Sequence, residues 1–181
     1  MSNREQYTPG PASAEVRKEA GDNWTLVLVR DLRHAPEKVW QALTEPAHLR
    51  EWAPFDADRS LAAGSTVKLT TVGAPGPNVT ETKVTRADAP KLLEYNWGGG
   101  DVRWQLEAAG AGTRLTLWAS IKRNFVAMGA AGWHICLDVM DHFIGGDAIG
   151  RIVGPEAMKF GGWQRLNAEY SKQFGVEAPK W

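Results

Sequence analysis

Apolar and polar positions alternate along much of this chain, and the period of the alternation changes twice. An apolar run over residues 24–33 reads as a first strand and leads into Ala35-Pro36. Proline is favoured at a helix start, where its missing N–H is not needed. The helix that follows carries Val39, Trp40 and Leu43 on one side. It stops at Thr44-Glu45-Pro46, where a threonine can cap a second short helix ending near Trp52. Both helices are too short to form a core alone, so they must close over something else.

Beyond Trp52 the period falls to two. Residues 55–60 read as a short strand or turn, and Gly64 opens a β-branched alternation over 66–72 that predicts a strand. Further strands are predicted over 79–86, 92–97, 101–107 and 113–121. Turns at 73–78, at Asp88-Ala89-Pro90 and at Gly98-Gly99-Gly100 separate them. The period then becomes helical. Trp133, Cys136, Leu137, Met140 and Ile144 form one stripe, ended by Gly145-Gly146. Gly154-Pro155 opens a second helical stretch bearing Trp163, Leu166, Tyr170 and Phe174, which Gly161-Gly162 should make irregular. One strand, two helices, a meander and a long helix predict an α+β fold with an antiparallel sheet. Residues 1–21 mix Pro, Gly, Ser and charge without a period and read as a flexible leader; 22–175 read as one domain and 176–181 as a tail.

Successive strand side chains point to opposite faces, which divides the meander cleanly. Val67, Leu69 and Thr71, then Thr80, Thr82 and Val84, then Leu93, Tyr95 and Trp97 fall on one face. Val102, Trp104 and Leu106, with Leu115, Leu117 and Ala119, join them. Lys68, Glu81, Lys83, Glu94, Arg103, Glu107 and Arg114 fall on the other, which belongs in water. Thr71, Thr82 and Tyr95 bring hydroxyls to the apolar face, and buried hydroxyls need partners.

Composition narrows the function classes. At 181 residues the chain fits one domain. Lys+Arg and Asp+Glu balance at 21 each, so nothing favours a nucleic-acid or acidic-membrane partner. A single cysteine, Cys136, excludes an intramolecular disulfide and suits a reducing compartment. No apolar run approaches the ~20 residues of a membrane span, and the N-terminus lacks the apolar centre of a signal peptide. A cytoplasmic location is the resulting expectation. Nine tryptophans are the compositional oddity and raise the prospect of an aromatic-lined pocket.

The most tempting acid–base or metal constellation is His134, Asp138, Asp141 and His142, whose spacings allow neighbouring side chains on a helix. Counted around the helix, the four lie away from the stripe that should meet the sheet, so the expectation is a solvated helix face. His34 and His48 flank the first helix and are expected to be exposed. Cys136 falls within the apolar stripe, where a thiol is a small buried hydrophobe. No nucleophile triad, zinc-like cluster or phosphate loop before a helix is present. No catalytic residue, metal or cofactor is therefore assigned.

The pattern A-P-x-x-V-W-x-A-L-T-x-P-x-x-L-x-x-W over residues 35–52 resembles the activator-of-heat-shock-ATPase-like branch of the START/birch-pollen-allergen (SRPBCC) superfamily. Leu93-Glu94-Tyr95-Asn96-Trp97, Gly112-Thr113-Arg114-Leu115-Thr116-Leu117 and Gly132-Trp133 extend the resemblance across residues 24–175. It implies a helix-grip fold, a curved antiparallel sheet around a long C-terminal helix with an apolar cavity between them. Many relatives have a histidine near the end of the G-T-x-L-T-L strand; here that stretch reads Trp118-Ala119-Ser120. The resemblance implies binding of an apolar, aromatic or polyketide-like small molecule. Its alternatives are a cyclase or hydratase in the same cavity and, last in order, stimulation of a heat-shock ATPase as a chaperone partner. The expected ligand-binding residues are Trp52, Leu69, Thr71, Tyr95, Trp97, Trp104, Leu117, Trp133, Leu137 and Met140. Trp52 is expected to cover the mouth, with Thr71 and Tyr95 orienting a ligand oxygen.

Overall fold

The computed structural model describes residues 3–76 and 78–177. Its elements run α1 (Asn3–Gln6), β1 (Glu15–Lys18), β2 (Asn23–Leu32), α2 (Pro36–Thr44), α3 (Pro46–Trp52), β3 (Phe55–Ala57), β4 (Thr66–Thr71) and β5 (Val79–Lys83). They continue with β6 (Arg86–Asp88), β7 (Leu92–Trp97), β8 (Gly100–Ala109), β9 (Gly112–Lys122), α4 (Val126–Ile144), α5 (Gly154–Lys159) and α6 (Gly161–Phe174). Prolines open α2, α3 and α5 within their first two positions, as their missing N–H allows.

Every strand pairing is antiparallel, and the whole is an α+β helix grip. The strands form two hydrogen-bonded sheets, ordered β1-β2-β9-β8-β7-β6 and β3-β4-β5, where a single sheet was expected. Threonines replace ladder bonds at the break. Thr82 Oγ1 accepts from the Asn96 amide at 3.0 Å and Thr80 Oγ1 from the Gly98 amide at 3.3 Å. This seam lets the strands curve around α4. At the β7–β8 hairpin, Gly98 and Gly99 hold φ of 61° and 83°, which a two-residue hairpin turn of this hand needs.

The predicted faces are the observed ones. Leu69, Leu93, Trp104 and Leu117 have no exposed surface, while Lys68, Glu81, Arg103 and Arg114 lie in water. Along β8, Trp104 stands opposite Leu93 on one side and Leu117 on the other.

Two expectations are corrected. The supposed flexible leader is packed: β1 pairs with β2, and the Tyr7 hydroxyl donates to Asp138 Oδ2 at 2.5 Å. Arg165 and Gln173 on α6 donate to the carbonyls of Gly10 and Ala12, at 3.2 and 2.7 Å. These contacts use backbone carbonyls, which leave no hydrophobic period in the sequence. Met1, Ser2 and residues 178–181 of the expected tail lie outside the described residues.

The second correction concerns α4. His134 is buried, because α6 lays Tyr170 over the helix face that was expected to be solvated. The Tyr170 hydroxyl lies 2.8 Å from His134 Nδ1 and accepts from the Ser13 amide at 3.2 Å. His134 Nε2 stands 3.6 Å from Asp138 Oδ2. Exposure rises along the constellation: Asp138 is half-buried, while Asp141 is exposed and pairs with half-buried His34 at 2.6 Å. His48 is likewise half-buried, edge-on to Phe143.

Burial, helped by the positive charges of Arg30 and Arg165, pulls the His134 imidazole down to about 4. The unfolded side chain takes up a proton near 6.5. Between those values the unfolded state holds more protons, so stability falls as the pH falls. Asp138 opposes this: burial raises its carboxyl, so its buried charge is relieved as the medium turns acid. We expect the His134 contribution to cost about 2 kcal/mol by pH 5, before that offset. Urea denaturation of wild type and His134→Gln at pH 7 and pH 5 checks it. The wild type should lose more stability on acidification; equal losses would show that His134 does not titrate in this way.

Candidate functional site

The interior between sheet and α4 is filled by rings. Trp104 meets Trp52 and Trp133 edge to face at 6.0 and 5.5 Å, and Trp133 meets Trp97 at 5.7 Å. Phe55 packs against Trp97 and Tyr95 at 5.2 and 6.1 Å. Edge-to-face pairs at such separations add to the free energy of burial itself.

Three of the four indoles in this cluster, those of Trp104, Trp52 and Trp97, find partners within the protein. The Trp104 indole donates to the Tyr95 hydroxyl at 3.1 Å, and the Trp52 indole to the Ala42 carbonyl at 2.9 Å. The Trp97 indole donates to Thr71 Oγ1 at 3.1 Å. Burial pushes the Tyr95 phenol above its usual range, so it stays neutral. Replacing Tyr95 by Phe strands the buried Trp104 N–H, and a donor left so costs about 1–3 kcal/mol. Urea denaturation of Tyr95→Phe should show that loss; a variant as stable as wild type would mean the bond contributes nothing.

Open space lies at one end of this cluster, where the sheet, the first turns of α4 and the α5 segment meet. An apolar groove of about 510 Å³ runs there, walled by Trp97, Trp133, Met128, Met158, Ile152 and Trp163. Its floor includes Gly129 and Gly132 of α4. A Cβ built on Gly132 meets no heavy atom within 4 Å, so this glycine opens onto free space. Cys136 also borders the groove, and burial pushes its thiol up to about 12, far from the thiolate needed for nucleophilic chemistry. Among the described residues lining the groove, none is His, Asp or Glu.

The groove's outer wall is tied down. Arg151 forks onto Asp56 at 2.8 and 3.3 Å, and Arg4 donates to the carbonyls of Ile149, Gly150 and Arg151 and pairs with Glu156. At the rim the β4–β5 loop touches the start of α5 backbone to backbone. A Cβ on Gly154 would stand 3.0 Å from the Val72 carbonyl and 3.3 Å from Gly73 Cα. Both glycines hold positive φ.

A cleft of about 610 Å³ adjoins the groove, and Trp97, Ile121, Phe125 and Trp133 line both. Its remaining lining is mixed: polar Thr71, Asn78, Lys122 and Glu19 stand beside apolar Trp24, Val102 and Ala119, with the Gly98–Gly100 turn.

The sequence from residue 33 to 145 matches the model of the family described as Activator of Hsp90 ATPase homolog 1-like protein. The chain belongs to that family. No curated protein matches it. Among solved structures it is similar to a conserved protein of unknown function from Enterococcus faecalis, at 22% identity, covering 91% of this chain and 92% of that one, with a TM-score of 0.69. CalU16 from Micromonospora echinospora is 20% identical over 90% of this chain and 97% of its own, with a TM-score of 0.66. DynU16, from the dynemicin biosynthetic locus, is 18% identical over 71% of this chain and 50% of its own, with a TM-score of 0.61. These likenesses establish the shared fold. The family match ends with α4, so α5 and α6, which complete the groove, lie beyond it.

Of the ten residues expected to bind ligand, Trp97 and Trp133 line groove and cleft, and Thr71 lines the cleft. Trp52, Leu69, Tyr95, Trp104, Leu117, Leu137 and Met140 are buried in the core and border neither space. Trp52, expected at the mouth, is wedged between α2 and Trp104. The groove residues that sequence reasoning missed, Met128, Gly132, Ile152 and Met158, come from elements that converge only in three dimensions. One signal was available: Gly129 and Gly132 sit within one turn of a helix, where each costs about 1 kcal/mol relative to Ala. Among the described residues no group of three His, Cys, Asp or Glu could hold a metal ion, and no helix is long and apolar enough to cross a membrane.

Proposed function

We propose that this protein binds a flat, apolar small molecule in the groove beside Gly132. The observation that carries the reading is the void above that glycine. A mid-helix position that favours a side chain has none, and the space it leaves is bounded by indole rings and methionines. Volume and lining fit the usual form of a small-molecule site, a concave apolar pocket of ~300–1,000 Å³. Methionine side chains adapt to differently shaped aromatic guests. The groove offers no acid or base to a bound carbonyl, which favours binding over cyclase or hydratase chemistry. Fold and family are consistent with small-molecule-binding proteins of the START-like kind.

A panel of flat aromatic and polyketide-like compounds, titrated while tryptophan fluorescence is followed, tests the reading. Binding should quench the emission and raise the unfolding temperature, since a ligand held only by the folded state stabilises it. If no member of the panel binds, the groove is not a small-molecule site, and protein–protein contact becomes the better reading.

A further inference from the structure

Resting on that reading, we propose that the ligand is amphipathic, with an apolar body over Gly132 and an uncharged hydrogen-bonding end in the more polar cleft beyond Trp97. Four residues, Trp97, Ile121, Phe125 and Trp133, line both spaces, so groove and cleft adjoin, and the proposed ligand lies across their shared rim. The two halves differ in chemistry. The groove presents indole rings, sulfurs, prolines and aliphatic carbons. The cleft adds the polar residues Thr71 and Asn78 to apolar Trp24, Val102 and Ala119.

Thr71 stands at the junction. Its oxygen accepts from the Trp97 indole at 3.1 Å, and among the described residues its hydroxyl proton goes to no acceptor. It can therefore fix the ring that walls the groove and donate to an oxygen lying over that ring. Charge argues for a neutral end. Lys122 and Glu19 both border the cleft, one of each sign. Each is already engaged, Lys122 with Asn23 Oδ1 at 2.5 Å and Glu19 with the Thr25 hydroxyl at 3.3 Å. A carboxylate or an ammonium would meet both its opposite and its like charge among the lining residues. A hydroxyl, carbonyl or amide would find donors and acceptors at no ionic cost. The class named is thus a flat or elongate apolar skeleton carrying neutral oxygen functions at one end.

The test uses three probes that share one body: 2-naphthol, its uncharged β-glucoside and its sulfate ester, each titrated into the full chain by calorimetry. The glucoside should bind about threefold to tenfold more tightly than 2-naphthol, the worth of one added hydrogen bond. The sulfate should gain nothing over 2-naphthol. In the Thr71→Val/Asn78→Ala double variant the ratio of glucoside to naphthol affinity should fall towards one. A glucoside binding no better than naphthol, or a sulfate binding best, overturns the amphipathic assignment while leaving the groove reading intact. A gain that survives in the double variant places the polar end elsewhere and overturns it too. If 2-naphthol itself fails to bind, the groove reading fails, and this inference fails with it.

Discussion

Trp104→Ala should destabilise the protein by about 3–5 kcal/mol, the usual range for truncating a large aromatic in a filled core. Trp104 has no exposed surface and lies between Trp52 and Trp133, with Leu93 and Leu117 beside it on the neighbouring strands. Alanine would remove the ring, leave a void that these stiff neighbours close only in part, and take the indole donor from the Tyr95 hydroxyl. Urea denaturation measures the loss, which should appear as a lower midpoint with an unchanged slope. A cost below about 1.5 kcal/mol would mean that the ring borders a space already open, placing the cavity inside the grip rather than at its end.

Gly132→Leu should uncouple binding from stability. The position lies inside a long helix, where a glycine costs about 1 kcal/mol relative to alanine, and a Cβ there meets nothing within 4 Å. Leucine, a good helix former, would extend into the groove rather than into packed core. The variant should be at least as stable as wild type, yet lose tenfold or more in affinity for flat aromatic compounds. Gly129 would not serve: a Cβ there stands 2.4 Å from Ile121 Cδ1, so substitution would disturb the wall as well as the space. A Gly132→Leu protein that is stable and binds as wild type would remove the groove from consideration.

Much of the fold is legible in the sequence because most strands keep one face dry and the other wet. Leu93, Tyr95 and Trp97 alternate with residues that meet water, so the period of two assigns their face without knowledge of their partners. The polar stripe of α4 misleads for the opposite reason. His134 and Asp138 lie away from the sheet, but periodicity within one helix does not say how many partners cover it. The apolar stripe of α6, through Trp163, Leu166, Tyr170 and Phe174, had to be buried somewhere, and it is buried over that side of α4. The N-terminal arm is illegible because side chains of α6 hold it by its carbonyls.

The site was harder to read than the fold. The inner face correctly collects the aromatic residues, but inward direction does not separate a ring that fills space from one that borders it. Trp104 and Trp133 are adjacent in the core, and only Trp133 reaches the groove. That distinction depends on where α5 stops and how Gly154 seats against Gly73, a tertiary outcome without a local signature.

The most direct test of the central claim is to follow the indole N–H signals of nitrogen-15-labelled protein while 2-naphthol is added. Trp97, Trp133 and Trp163 line the groove, and their signals should shift with saturation. Trp52 and Trp104, bonded to the Ala42 carbonyl and the Tyr95 hydroxyl, should hold their positions. Shifts confined to Trp52 and Trp104, or none at saturating ligand, would contradict a binding groove beside Gly132.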